Sequence, residues 1–147
     1  MSFAESTGLR GMTNATTTHI HQVGRVIVPV SDQDSALEFY RDVVGFEVRG
    51  DTPYGDGERW LEVAPPGGTT ALAIVPPREG QPAGVETRVA LATDDVDADY
   101  DYLRGQGVDV DAEMMGGEGP VPRMFCFRDP DGNNFLLVQD DGTQPGT

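Results

Sequence analysis

Lysine is absent from this chain of 147 residues: all ten of its cations are arginine, against twenty-five aspartates and glutamates, for a net charge of −15. Without lysine there is no Schiff-base or lysine-base chemistry, and no Walker lysine to meet a nucleotide phosphate. Acidity on this scale repels nucleic acid and anionic membrane over most of the surface, so neither is an expected partner. It fits a solvated, colloidally stable surface or a salt-adapted host. Cysteine occurs once, as Cys126, which excludes an intramolecular disulfide and a Cys-x-x-Cys zinc site and favours the cytoplasm. Long apolar runs are missing too. Stretches such as Val26 to Val30 are strand-sized, far short of the ~20 residues that span a bilayer. The segment Met1 to Thr18 has no basic start followed by an apolar stretch, so it reads as a disordered tail, neither signal peptide nor anchor.

What is present is a repeat. Arg59 to Gly68 lies over Arg123 to Gly132 at a constant offset of 64, each copy an alternating apolar run ending in a Pro-Gly turn. Val30-Ser31-Asp32 matches Thr93-Asp94-Asp95 at an offset of 63, and Gly45 matches Gly107 at 62, the drift reflecting loop insertions. The predicted organisation is a tail over 1–18, a single domain over 19–139 and a second tail over 140–147. The domain divides into module one (19–79), a linker (80–86) and module two (87–139), the Pro- and Gly-rich joint being too short to separate independent domains.

Each copy reads strand, helix, strand, strand, strand. In the first, Gly24 to Val30 alternates as a strand, and Asp32 to Val44 carries Ala36, Leu37, Phe39, Tyr40, Val43 and Val44 at helical spacing. Ser31 or Asp32 is the cap and Gly45 the stop. Further strands are predicted starting with Phe46 to Arg49, over Arg59 to Ala64 and over Thr70 to Val75. The second copy repeats this with Thr87 to Thr93, a helix near Asp97 to Arg104, then Val108 to Ala112, Val121 to Phe127 and Asn134 to Gln139.

A period of two assigns faces. Val26, Val28, Val30, Leu61 and Val63 form the row that packs on the first helix, as do Val89, Leu91, Phe125, Phe127, Phe135 and Leu137 on the second. Arg25, Ile27, Trp60, Glu62, Arg88, Met124, Cys126, Leu136 and Val138 take the other side. That side is too apolar for plain solvent surface, so it should line a curved concavity or bury against the other unit.

Three segments carry a family resemblance: Val28 to Phe46 (VPVSDQDSALEFYRDVVGF), Thr93 to Ala98 (TDDVDA) and Phe127 to Asn133 (FRDPDGN). In this order they resemble the vicinal oxygen chelate superfamily, which includes glyoxalase I, bleomycin-binding resistance proteins, fosfomycin-modifying transferases and extradiol dioxygenases. The resemblance implies an α+β fold: two tandem βαβββ modules forming a cup-shaped, partly closed mixed sheet with helices on the outside, commonly as a homodimer. Fold alone does not assign chemistry.

In catalytic members the cup holds a divalent ion through His, Glu or Gln on the first and last strands of the modules, acting as a Lewis acid. Carried over position by position, those slots fall on Arg25, Leu72, Arg88 and Leu136, none of which donates a lone pair to a metal. His19 and His21 are the only histidines; His21 would sit about 13 Å along the strand from Arg25, too far to substitute. No metal ligand and no cofactor is therefore predicted, although carboxylates such as Glu62 and Glu86 leave an unusual metal site conceivable.

The cup expected from these residues is apolar with a few charges. Its ligand-binding residues are read as Arg25, Ile27, Trp60, Glu62, Leu72, Arg88, Met124 and Leu136. Arg25 and Arg88, repeat mates, either capture a carboxylate or phosphate or pair with Glu62, Glu86 or loop carboxylates. Trp60 is either a stacking wall or interface filling. Cys126 lacks an activating base, and the Gly-rich stretches Tyr54 to Glu58 and Gly116 to Pro120 are mobile lips or plain hairpin loops. The expectation is a metal-independent binder of a planar, in one version anionic, small molecule. Its alternative is a metal-dependent enzyme of glyoxalase, lyase or extradiol dioxygenase type, and a third reading is a structural dimer with no ligand.

Overall fold

A computed structural model describes residues 17–140; the two predicted tails lie almost entirely outside this range. Module one runs β1 (Arg25–Pro29), helix α1 (Gln33–Leu37 as α-helix, continuing as a π-helix over Glu38–Val43), β2 (Glu47–Gly55), β3 (Glu58–Ala64) and β4 (Ala71–Val75). Module two runs β5 (Glu86–Thr93), α2 (Val96–Gly105), β6 (Asp109–Val110), β7 (Met124–Arg128) and β8 (Asn134–Gln139). They build two four-stranded mixed sheets, ordered β1-β4-β3-β2 and β5-β8-β7-β6. In each the first strand runs parallel to the last and the remaining pairs are antiparallel. The fold is α+β, without a closed barrel.

Local chemistry explains the helix ends. Asp32 caps α1, its carboxylate accepting from the backbone of Asp34 at 2.9 Å and Ser35 at 3.1 Å, and Asp34 in the first turn complements the helix dipole. The chain leaves α1 through Gly45 at φ +90, a backbone conformation that glycine adopts without a Cβ penalty. The second half of α1 is wound wider than a helical period predicts: the Val44 amide reaches back to the Phe39 carbonyl at 2.9 Å and Phe46 to Tyr40 at 2.8 Å.

Both sheets turn one face to a single hydrophobic cluster. Val28, Leu61, Val63, Leu72 and Ile74 come from the first sheet, Phe125, Phe127, Phe135 and Leu137 from the second, with Ala36, Phe39 and Tyr40 of α1 and Val96 and Leu103 of α2 between them. Phe39 lies 6.4 Å from Phe127, and Tyr40 meets Phe135 edge-on at 6.0 Å, so α1 serves both sheets.

The turn Asp129-Pro130-Asp131-Gly132-Asn133 is a polar joint between the modules. Asn133 is fully buried and donates from Nδ2 to the Pro29 carbonyl and to Asp129 Oδ2, both at 2.8 Å, while its Oδ1 accepts from Gly84 N at 2.9 Å and Val85 N at 2.8 Å. Asp129 also accepts from the Tyr40 hydroxyl at 2.7 Å, and Asp131 from the Ser31 hydroxyl at 2.6 Å. Burial and the Asp129 carboxylate push the Tyr40 phenol far above its ordinary range, so it acts only as a donor. Gly84 is required here: a Cβ would stand 2.8 Å from the Asp131 carbonyl oxygen.

Candidate functional site

The side of each sheet away from the shared core is the open face, and the strand pairings fix its members. On the first sheet Arg25 pairs with Ala71, Ile27 with Ala73 and Glu62 with Ala73. Residues paired across strands share a face, so Arg25, Ile27, Glu62, Ala71 and Ala73 lie together, with Trp60 two residues before Glu62 on β3. Ile27 is 56% exposed and Trp60 37%, a high exposure for apolar groups that stand together.

Leu72 is not among them. It pairs with Val26 and Val63, is buried and belongs to the core cluster. The expected position was wrong by one residue: Leu136 and Ala73 hold equivalent places opposite Ala90 and Ile27, an offset of 63 in the repeat rather than 64. The slot beside Arg25 is therefore an alanine.

Arg25, Glu62 and Trp60 form one constellation. Glu62 Oε2 accepts from Arg25 Nε and, at 2.6 Å, from the Trp60 indole nitrogen. Burial penalises the charged form of Glu62. The hydrogen bonds from Arg25 and Trp60, with the Arg25 charge, outweigh that penalty and hold the carboxyl below the ordinary glutamate range. A general base is best poised near the working pH; Glu62 is committed to its two donors and fixes the plane of the indole.

The open face of the second sheet carries Met124, Cys126, Leu136 and Val138, with Cys126 opposite Leu136 and Met124 opposite Val138. It also carries charges that period-two reasoning passed over. Arg128 stands opposite Asn134 and Asp109, and binds Asp111 at 2.6 Å. Asp111 in turn accepts from the Cys126 amide at 2.9 Å. Glu86 accepts from Asn134 Nδ2 at 2.8 Å. A shallow groove of about 340 Å³ lies at this end, lined by Gly84, Val85, Glu86, Arg128, Gly132 and Asn134. The signal that could have found Arg128 was its place two residues after Cys126, obscured because Arg128 was read as part of the turn motif.

Arg88 stands apart. The β5–β8 register slips between Glu86, opposite Asn134, and Ala90, opposite Leu136, so four steps on β5 span two on β8. Within this bulge Arg88 takes φ +61, in the left-handed region, while its neighbour Val89 packs on the core. The Thr87 hydroxyl spans the gap, donating to the Asn134 carbonyl at 2.7 Å and accepting from Val89 N at 3.1 Å. Arg88 is exposed and makes no ion pair, side-chain hydrogen bond or ring contact with any described residue.

The structure thus joins Arg25, Ile27, Trp60 and Glu62 on one open face, and Met124 and Leu136 on the other with Arg88 in the bulge beside them. It does not bring the two groups together within one chain, since both sheets turn their opposite faces to the one shared core. The Gly-rich stretches read as lips or hairpin loops carry positive φ at Gly55, which ends β2, at Asp56 and Gly57 in the turn to β3, and at Gly116, Gly117 and Gly119 before β7.

At the positions that the resemblance marks for metal ligands, with Ala73 in place of Leu72, stand Arg25, Ala73, Arg88 and Leu136, side chains that offer no lone pair to a divalent ion. Among the described residues no group of three or more His, Cys, Asp or Glu is placed to hold a metal ion, and no helix is long and apolar enough to cross a membrane.

The profile of the Glyoxalase/Bleomycin resistance protein/Dioxygenase superfamily matches residues 19–137. TnmS3, described as an antibiotic binding protein from Streptomyces sp. CB03234, is 43% identical, with 83% of this chain and 98% of that one aligned at a TM-score of 0.73. A member of the same superfamily from Sphaerobacter thermophilus DSM 20745 is 35% identical over 84% of this chain and all of its own, with a TM-score of 0.77. The uncharacterized protein YetH of Bacillus subtilis strain 168 is 34% identical over 125 residues, 82% of this chain and 99% of YetH.

Proposed function

The chain belongs to the Glyoxalase/Bleomycin resistance protein/Dioxygenase superfamily, and from that premise we propose that it is a metal-independent small-molecule binding protein whose ligand is planar and carries an acidic group. The observation that carries this reading is Trp60, half-exposed on an open sheet face and held by Glu62, which Arg25 holds in turn. An indole fixed at its nitrogen offers a flat apolar surface at little entropic cost, which suits stacking of an aromatic ring. The side chains at the metal-ligand slots favour binding over Lewis-acid catalysis, and the antibiotic-binding description of TnmS3 agrees with it.

Each chain supplies two half-sites facing away from the shared core, one bearing Trp60 and the other Met124, Cys126 and Leu136. A homodimer that sets the first face of one copy beside the second face of its partner encloses two identical cups about a twofold axis and covers Ile27 and Trp60. The ligand then lies between Trp60 of one copy and the Leu136 face of the other.

The test is titration of fused-ring aromatic acids into protein purified without added metal, read by Trp60 fluorescence and by thermal shift, before and after chelator treatment. Ligand that binds the folded state raises its midpoint, and both signals should survive chelation. A stoichiometric Fe, Mn, Ni or Zn content that is needed for binding would overturn the proposal.

A further inference from the structure

Arg25 and Arg88 are repeat mates, yet the structure treats them oppositely. Arg25 lies in a regular parallel pairing and is bound to Glu62. Arg88 lies in a bulge at φ +61. Among the described arginines, Arg25, Arg41, Arg49, Arg59, Arg123 and Arg128 are all paired with carboxylates, Arg104 lies over the Tyr100 ring, and Arg78, which has no ion pair either, sits in a backbone bridge to Gln81 outside the strands of both sheets. In a chain with twenty-five acidic residues to ten arginines, a strand arginine of these two sheets that finds no carboxylate is the exception, and Arg88 is that one. Glu86, two residues away on the same strand, is turned to Asn134 instead.

Left-handed backbone is costly for a side chain with a Cβ and persists where the surroundings enforce it, most often at functional sites. The enforcing group is Thr87, whose hydroxyl bonds to both sides of the broken ladder. An ordinary pairing from Glu86 to Ala90 would need neither the bulge nor the left-handed residue.

We infer that the β5 bulge is a device that presents Arg88 as the single anion anchor of the cup, with Thr87 as its positioning residue, so that each cup takes a ligand with one carboxylate or phenolate group. This rests on the small-molecule reading above and narrows it: Arg25, whose Nε and charge are engaged by Glu62, orients Trp60, and the anion goes to Arg88. A free guanidinium meets a carboxylate with two parallel hydrogen bonds, and such charged bonds are worth enough that their loss weakens binding by about tenfold or more.

The experiment compares 2-naphthoate with its neutral amide, 2-naphthamide, on the full chain and on Arg88→Gly, Arg88→Asn and Thr87→Val. Both replacements at Arg88 tolerate positive φ, so each variant should fold with a melting temperature at or above the parent's. The parent should prefer naphthoate; Arg88→Gly and Arg88→Asn should lose about tenfold or more in naphthoate affinity with naphthamide unchanged. Thr87→Val should shrink the same preference, a change that a purely structural threonine would not produce. An unaltered naphthoate preference in the Arg88 variants overturns the anchor while leaving the binding reading intact. Failure of the parent to bind either probe overturns that reading, and the anchor falls with it.

Discussion

The indole nitrogen of Trp60 donates to Glu62 Oε2 at 2.6 Å, on the same carboxylate oxygen that Arg25 Nε binds. Three side chains from two strands are thereby locked into one plane-setting unit on an otherwise apolar face. Its stability depends on Glu62 remaining charged, which ties the posture of the only tryptophan to pH.

Glu62 has a folded-state pKa below its ordinary value. Its contribution is therefore complete above the unfolded value, about 4.3 for glutamate, and is lost as pH falls through the lower folded value. Trp60 emission should hold steady down to about pH 5 and shift only below the ordinary glutamate range. In Glu62→Gln that acid-side transition should vanish; a fluorescence titration showing the same transition in both proteins would break the link.

Asn133 is fully buried and joins Pro29, Gly84, Val85 and Asp129. Asn133→Ala should cost about 3 kcal/mol or more in denaturant unfolding, because it strands several buried donors and acceptors at once. Tyr40→Phe, which removes one bond to Asp129, should cost less, about 1–3 kcal/mol. Equal and negligible losses would mean that the joint contributes little to holding the modules together.

Leu72 belongs to the core and Ala73 to the open face. Leu72→Ala should lower stability by about 2–5 kcal/mol while leaving ligand affinity unchanged. Ala73, fully buried beside Ile27 and Glu62 on the open face, has no room for a larger side chain, so Ala73→Leu should weaken ligand binding as well as folding. Calorimetry with ligand titration on both variants distinguishes the faces; the opposite pattern would return Leu72 to the cup.

Much of this architecture was legible in the sequence because the repeat and the caps are chemical signals. Asp32 and Gly45 bracket the first helix as read, and the alternation in β1, β3, β7 and β8 assigned their faces correctly. Reading stopped where alternation carries no contrast. Ala71-Leu72-Ala73-Ile74-Val75 is apolar throughout, so its parity had to be borrowed from the repeat offset and was taken one residue out. The strand expected from Val121 starts only at Met124, since Pro122 has no amide for a ladder, and β2 runs on to Gly55 through Gly50 and Pro53 because an edge strand tolerates both. The bulge at Arg88 was invisible: Thr-Arg-Val-Ala-Leu-Ala-Thr alternates as an unbroken strand would, and only the pairing with β8 exposes the slip.

The central claim is a cup completed between two copies, and the most direct measurement is complementation. Trp60→Ala and Arg88→Gly chains carrying different tags are co-expressed, the mixed dimer is isolated, and 2-naphthoate is titrated into it. Such a dimer contains one cup with both residues intact and one lacking both, so it should bind at the parent's affinity with half the parent's stoichiometry, while neither variant alone does so. A mixed species that binds no better than the two variants, or a chain that runs as a 15.8 kDa monomer with full naphthoate affinity, would contradict the account.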